Sequence, residues 1–105
     1  EYMVAPIFPD NEGKGGHEWA IEFEKKPEDL EFFTSILDNA IKAENSDYEA
    51  KRFKNMALQL PKINILKPNT FYNWMKSKGK IGGQHKIPRL CTERDLLVEI
   101  LGMRK

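Results

Sequence analysis

The sequence predicts an α+β fold, a small mixed or antiparallel sheet of about three strands with helices packed on it, in a single domain. Three observations carry that expectation. Apolar residues alternate with acids over residues 17–24, the period of a strand with one covered face. Over residues 30–41 the apolar spacing changes to that of a helix with one covered stripe. The chain has 105 residues, a length that supplies one hydrophobic core and not two.

Residues 2–8 are apolar and rich in strand formers, but Pro6 lacks the N–H a ladder needs, so this is an edge strand or an entry segment. Pro9-Asp10-Asn11, followed by Gly13, Gly15 and Gly16, is turn chemistry. The Gly-Lys-Gly-Gly run at 13–16 lacks the spaced glycines and terminal Lys-Ser or Lys-Thr of a P-loop, and reads as a hairpin connection. The strand after it places Trp19, Ile21 and Phe23 on the covered face and Glu18, Glu22 and Glu24 towards water. Pro27 at a helix start, with Glu28 and Asp29 in the first turn, introduces Leu30, Phe33, Ile36, Leu37, Ala40 and Ile41 as an inward stripe.

Asn45 can end that helix. Ser46-Asp47-Tyr48-Glu49 has the form of a capping box and starts a second helix carrying Tyr48, Arg52, Phe53 and Met56. Pro61 stops it, and residues 62–67, with Ile63 and Ile65 on one face, read as a short strand. Asn69 or Thr70 caps a third helix in which Phe71, Trp74 and Met75 share a face, closed by Lys76, Lys78 and Gly79. Thr92, with Asp95 three residues on, caps the last helix, and Leu96, Leu97, Ile100 and Leu101 face inward.

The net charge of +1 conceals an asymmetry: residues 1–50 hold 13 acids and 4 bases, residues 51–105 hold 3 acids and 13 bases. Such halves either attract each other across the fold or offer a basic surface to a polyanion. Cys91 is the single cysteine, so no intrachain disulfide forms, and a reducing, cytoplasmic setting is expected. No apolar run is long enough to span a bilayer, so no membrane partner is expected. A start at Glu1 suggests a processed product or a piece of a longer protein.

Residues 79–91 obey neither a helical nor a strand period and form a loop. Gly79, Gly82 and Gly83 free its backbone, Pro88 fixes its own φ, and Lys80, Lys86 and Arg89 supply charge with no acid among them. Such a loop can gather N–H groups and cations around one anion, and a solvated surface turn reads the same way. No metal site is expected, because His17, His85, Cys91 and the carboxylates lack ligand spacing. His85 lies six residues before Cys91, but the apolar neighbour Leu90 marks the cysteine as a small buried filler rather than a nucleophile. Lys76, Lys78, Lys80, Lys86 and Arg89 follow Phe71, Tyr72 and Trp74, the raw material of a nucleic-acid surface. Two of those aromatics belong to a buried helix face, which weighs against nucleic acid.

Asn45-Ser46-Asp47-Tyr48 with Arg52, then residues 71–79 running into Gly83-Gln84-His85-Lys86-Ile87-Pro88-Arg89-Leu90-Cys91, resemble the C-terminal domain of the auxin-responsive Gretchen Hagen family of acyl-acid amido synthetases. Gly16-His17 leading into an aromatic and acidic strand also fits that family. His85 stands where many members carry tyrosine. The resemblance implies an adenylate-forming ligase: a carboxylic acid and Mg-ATP give an acyl adenylate, and an amine or amino acid then displaces AMP. ATP and Mg2+ would serve the full-length enzyme, with none held by this domain alone. The partner would be an N-terminal adenylate-forming domain of the same chain. The small C-terminal domain would be a mobile lid that presents a lysine, here Lys86, to the adenylation step. Gln84 and Arg89 would be supporting phosphate or domain contacts, on a loop freed by Gly82 and Gly83. The alternative expectation, resting on charge alone, is a stand-alone basic module for nucleic acid or another polyanion.

Overall fold

A computed structural model describes residues 1–79 and 86–103. Its elements are β1 (Tyr2–Ile7), β2 (Gly16–Glu22), α1 (Leu30–Glu44), α2 (Ser46–Arg52), β3 (Lys62–Leu66), α3 (Thr70–Ser77) and α4 (Asp95–Gly102), with a 3-10 turn over Phe53–Asn55 after α2. The sheet is mixed, in the order β1-β2-β3: β1 runs antiparallel to β2, and β3 runs parallel to it. The α+β expectation holds. The parallel pair needs a crossover, and α1 and α2 provide it.

The turn between β1 and β2 is the expected hairpin connection. Gly15 donates to Ala57 O at 2.9 Å and accepts from Gln59 N at 2.9 Å, so two stretches of backbone meet there. A Cβ on Gly15 would lie 2.6 Å from Ile7 O, which is why the position needs glycine.

Both faces of the sheet are covered. Met3, Ala5, Ala20 and Leu66 join Phe71, Trp74 and Met75 of α3 and Leu97 and Ile100 of α4 in the main core. Val4, His17 and Trp19 face the other way, lining a cleft with Ile41 of α1 and Tyr48 of α2. This corrects the facing of β2. Glu18 is only 5% exposed and shares the main-core side with Ala20, whereas Trp19 and Ile21 are half-buried on the opposite side. The strand also ends at Glu22, before Phe23 and Glu24.

The acids tolerate that side because each has polar partners. Glu18 receives Arg94 Nη2, and Asn64 Nδ2 at 2.9 Å, with Lys62 Nζ at 3.7 Å. Glu22 accepts the N–H groups of Asn69 (3.1 Å) and Phe71 (3.0 Å), satisfying donors that the first turn of α3 leaves open. Asn69 adopts a left-handed φ of 70° and its own side chain makes no cap, so a carboxylate from β2 replaces the expected Asn69 or Thr70 cap.

Four helix boundaries also differ from expectation. Asp29 is the N-cap of α1, accepting from Phe32 N at 3.1 Å, so Pro27 precedes the helix instead of opening it. Leu30, Phe33, Leu37 and Ile41 turn inward around the buried Thr34 and Asp38, while Ile36 and Ala40 are exposed. Asn45 rather than Ser46 caps α2, accepting from Tyr48 N at 3.0 Å. That helix stops at Arg52 because Lys54 and Asn55 take positive φ (52° and 55°), which turns Phe53 and Met56 out to solvent. The start of α4 has no side-chain cap, so Thr92 does not serve as one. Its apolar face is as expected, with Leu97 and Ile100 buried and Leu96 and Leu101 packed at the margin.

Asp38 organises the α1–α2 corner. Its carboxylate receives Tyr48 OH at 2.6 Å, Arg52 Nε at 2.7 Å and Nη2 at 2.9 Å, and Lys42 Nζ lies 3.2 Å away. The same guanidinium reaches Asn55 Oδ1 and Leu58 O, drawing the chain after α2 back over the corner. Arg52 holds the Asp38 carboxyl far below the usual carboxylate range, outweighing the opposing effect of burial, and Tyr48 and Lys42 add to it. Burial and the bond to Asp38 push the Tyr48 phenol well above its ordinary value.

Asp38→Asn should cost about 3–5 kcal/mol, because it removes the charge facing a buried guanidinium. Since folding depresses the Asp38 pKa, its contribution is present above the unfolded value of about 4 and is lost as pH falls below that. Urea melts at pH 7 and pH 3 should therefore show wild type losing more stability on acidification than Asp38→Asn. Glu22→Ala should cost about 1 kcal/mol through loss of the α3 cap, read as a lower urea midpoint at unchanged slope.

Candidate functional site

Residues 89–91, ahead of α4, are tied to the sheet by their backbone. Arg89 O accepts from Val4 N at 2.7 Å, and Cys91 N donates to Val4 O at 2.9 Å, so Leu90 pairs with Val4 as a short parallel bridge on the outer edge of β1. Ile87 and Cys91 pack against the main core. Lys86, next to Ile87, is exposed. The geometry is a long, flexible cation leaving a fixed support.

Arg89 is held from the side. Its Nε lies 2.7 Å from Glu1 Oε1 and its Nη2 3.3 Å from Oε2, and the guanidinium sits 5.6 Å from the centre of the Tyr2 ring. This forked bond is the main reason the Glu1 carboxyl is held below its ordinary range. Gln84, Gly82 and Gly83 lie outside the described residues, as do Lys80 and His85.

Cys91 is half-buried, with Sγ 3.7 Å from Pro88 O. Burial and then the nearby Asp95 push its thiol pKa up, the reverse of what a nucleophile needs. The filler reading of this cysteine agrees with its packing. His17 is half-buried, and burial pushes its pKa down. It lines two clefts on either side of Leu90, one of about 430 Å³ with Trp19, Ile41 and Tyr48, the other of about 370 Å³ with Pro6, Cys91 and Thr92. Among the described residues no three His, Cys, Asp or Glu side chains gather as a metal site.

Part of the charge asymmetry is met by pairing within the molecule. Lys51, Arg52, Lys62, Arg89 and Arg94 from the basic half pair with Asp47, Asp38, Glu18, Glu1 and Glu18 from the acidic half. Phe71 and Trp74 are core residues, and Lys78 bonds Glu99 at 2.6 Å while lying over the Trp74 ring. Of the three aromatics in that stretch only Tyr72 is exposed, which leaves no stacking platform of the kind single-stranded nucleic acid uses. Among the described residues no helix is long and apolar enough to cross a membrane.

Sequence reasoning located the Lys86 segment but missed its anchors. Glu1, Tyr2 and Val4 lie more than eighty residues away in the chain, and the contacts at Val4 are backbone contacts that leave no mark on side-chain identity.

Comparison with known proteins gives one family and one fold. The model of the GH3 family C-terminal domain matches residues 1–95. Among solved structures, a GH3.15 acyl acid amido synthetase superposes with a TM-score of 0.70 at 18% identity. An AtGH3.15 acyl acid amido synthetase in complex with 2,4-DB gives 0.68 at 17%. In each case the match covers 97% of this chain and 19% of the other, so the chain spans about a fifth of the length of those proteins. No curated protein matches the sequence.

Proposed function

The chain belongs to the GH3 family C-terminal domain, and from that premise we propose that it is the mobile lid of an ATP-dependent acyl-acid amido synthetase, working in the cytoplasm against an N-terminal adenylate-forming domain of the same protein. The observation that carries this reading is the exposed Lys86 at the end of a segment fixed to β1 and to the core. The substrates would be a small carboxylic acid and an amine or amino acid. ATP activates the acid by placing a good leaving group on its carboxyl.

The donor set fits a contributing role in that chemistry and not a containing one. An ammonium on a flexible stem can meet negative charge on phosphate oxygens, and in a closed, water-poor site it stabilises the charge that builds during transfer. Mg2+ would be held by the other domain together with the phosphates of the nucleotide itself. Closure of the lid brings Lys86 in; reopening or rotation takes it away for amide formation.

In the full-length enzyme, Lys86→Ala should slow the adenylation half-reaction about a hundred- to a thousand-fold, the usual cost of losing one preorganised electrostatic contact. Attack of an amine on preformed acyl adenylate should change far less. Pyrophosphate exchange and single-turnover amide formation separate the two steps. Lys76→Ala, on the exposed side of α3, should leave both at wild-type rates. Equal losses in the two half-reactions for Lys86→Ala, or none, would sink the lid reading.

A further inference from the structure

We propose that Arg89 is a positioning residue for Lys86, acting through Glu1 and Tyr2, and that it does not bind phosphate; this rests on the lid reading above. The residue type and the neighbouring lysine would suit an anion, yet the Nε–Nη2 edge of the guanidinium is already committed. Nε and Nη2 are forked onto the Glu1 carboxylate at 2.7 and 3.3 Å, and its centre lies 5.6 Å from the middle of the Tyr2 ring. To grip a phosphate with the same fork it would have to leave the Glu1 carboxylate.

What the contact does hold is the line of the segment. The Arg89 carbonyl is one end of the bridge to Val4, and the Cys91 amide is the other. The side chain clamps the same residue sideways onto Glu1 and Tyr2, at the start of β1. Backbone bridge and side-chain clamp together remove the freedom of residues 89–91 to slide along the strand or peel from it. Lys86 lies three residues before the clamp, with Ile87 packed on the core between them. A small shift of that support moves the ammonium from its working position, and misplacement by about 1 Å is enough to cost about a hundred-fold in rate.

A positioning role and a phosphate contact differ in what Glu1 does. If Arg89 acts through Glu1, then removing either charge harms adenylation, and exchanging the two charges repairs it. A phosphate contact would ignore Glu1, and a glutamate at position 89 would be fatal in any background. The test uses pyrophosphate exchange by the full-length enzyme for Arg89→Ala, Glu1→Gln and the double exchange Glu1→Arg with Arg89→Glu. Hydrogen–deuterium exchange of the peptide spanning residues 86–91 is followed in the same proteins.

Arg89→Ala and Glu1→Gln should each lower kcat about tenfold, leave KM for ATP within about twofold, and speed amide exchange in that peptide. The double exchange should return kcat to within about threefold of wild type. A rise in KM for ATP with Arg89→Ala, a silent Glu1→Gln, or a double exchange as slow as Arg89→Ala would overturn the proposal. Lys86→Ala, measured alongside, separates the two ideas. If it is slow while the Arg89 and Glu1 variants are normal, only the positioning role falls; if it is itself normal, the lid reading falls and takes this inference with it. Should Arg89→Ala fail to fold, Glu1→Gln and the double exchange decide by the same criteria.

Discussion

The structure turns on a carboxylate placed where a strand pattern would put a solvent contact. Glu18 projects from the middle strand towards the main core and is tied there to Asn64 and Lys62 of β3 and to Arg94 at the head of α4. Arg94 in turn reaches Pro6 O of β1 at 2.8 Å. One acid therefore connects all three strands to the last helix. Burial alone would raise its pKa; hydrogen bonds from Arg94 and Asn64 and the charge of Lys62 outweigh that and keep the group below its ordinary range, hence ionised. A buried charge with this many donors is stable only as a set, because removing one partner leaves the others desolvated without compensation.

Most elements were legible in the sequence, and the reasons for the misreadings are physical. Alternation over residues 17–24 marks a strand, but a period of two cannot say which side is the core when helices cover both. Hydrophobicity suggested the Trp19 side; polar partners far along the chain made the Glu18 side the more deeply buried one. The stripe of α1 was displaced for a related reason, since its most buried positions are Thr34 and Asp38, residues that hydropathy assigns to water. Capping was misread where the donor groups are served from another element: Glu22 replaces a local cap on α3. At the candidate site the basic block and its lysine were visible, whereas the support beneath them depends on backbone bonds between residues at opposite ends of the chain.

The segregation of charge along the sequence has its counterpart in those long-range pairs. Acids are concentrated in residues 1–50 and bases in residues 51–105, and the fold brings some of them together at the α1–α2 corner, around Glu18 and at Glu1. Pairs with a buried member, such as Asp38 with Arg52, are shielded from salt; exposed ones, such as Lys51 with Asp47, weaken as ionic strength rises.

The short bridge between Leu90 and Val4 also settles what β1 can do as a border. Val4 has both its N–H and its C=O occupied by residues 89 and 91, and Tyr2 N is bonded to the Glu1 side chain. Pro6 has no N–H to offer, and its carbonyl is taken by Arg94. An outer strand normally exposes a ladder of such groups, which invites another chain to add on and is a common start of aggregation. Here the outward groups of Val4 and Pro6 are already taken, so a neighbouring chain finds the middle and the far end of this edge closed to a continuous ladder.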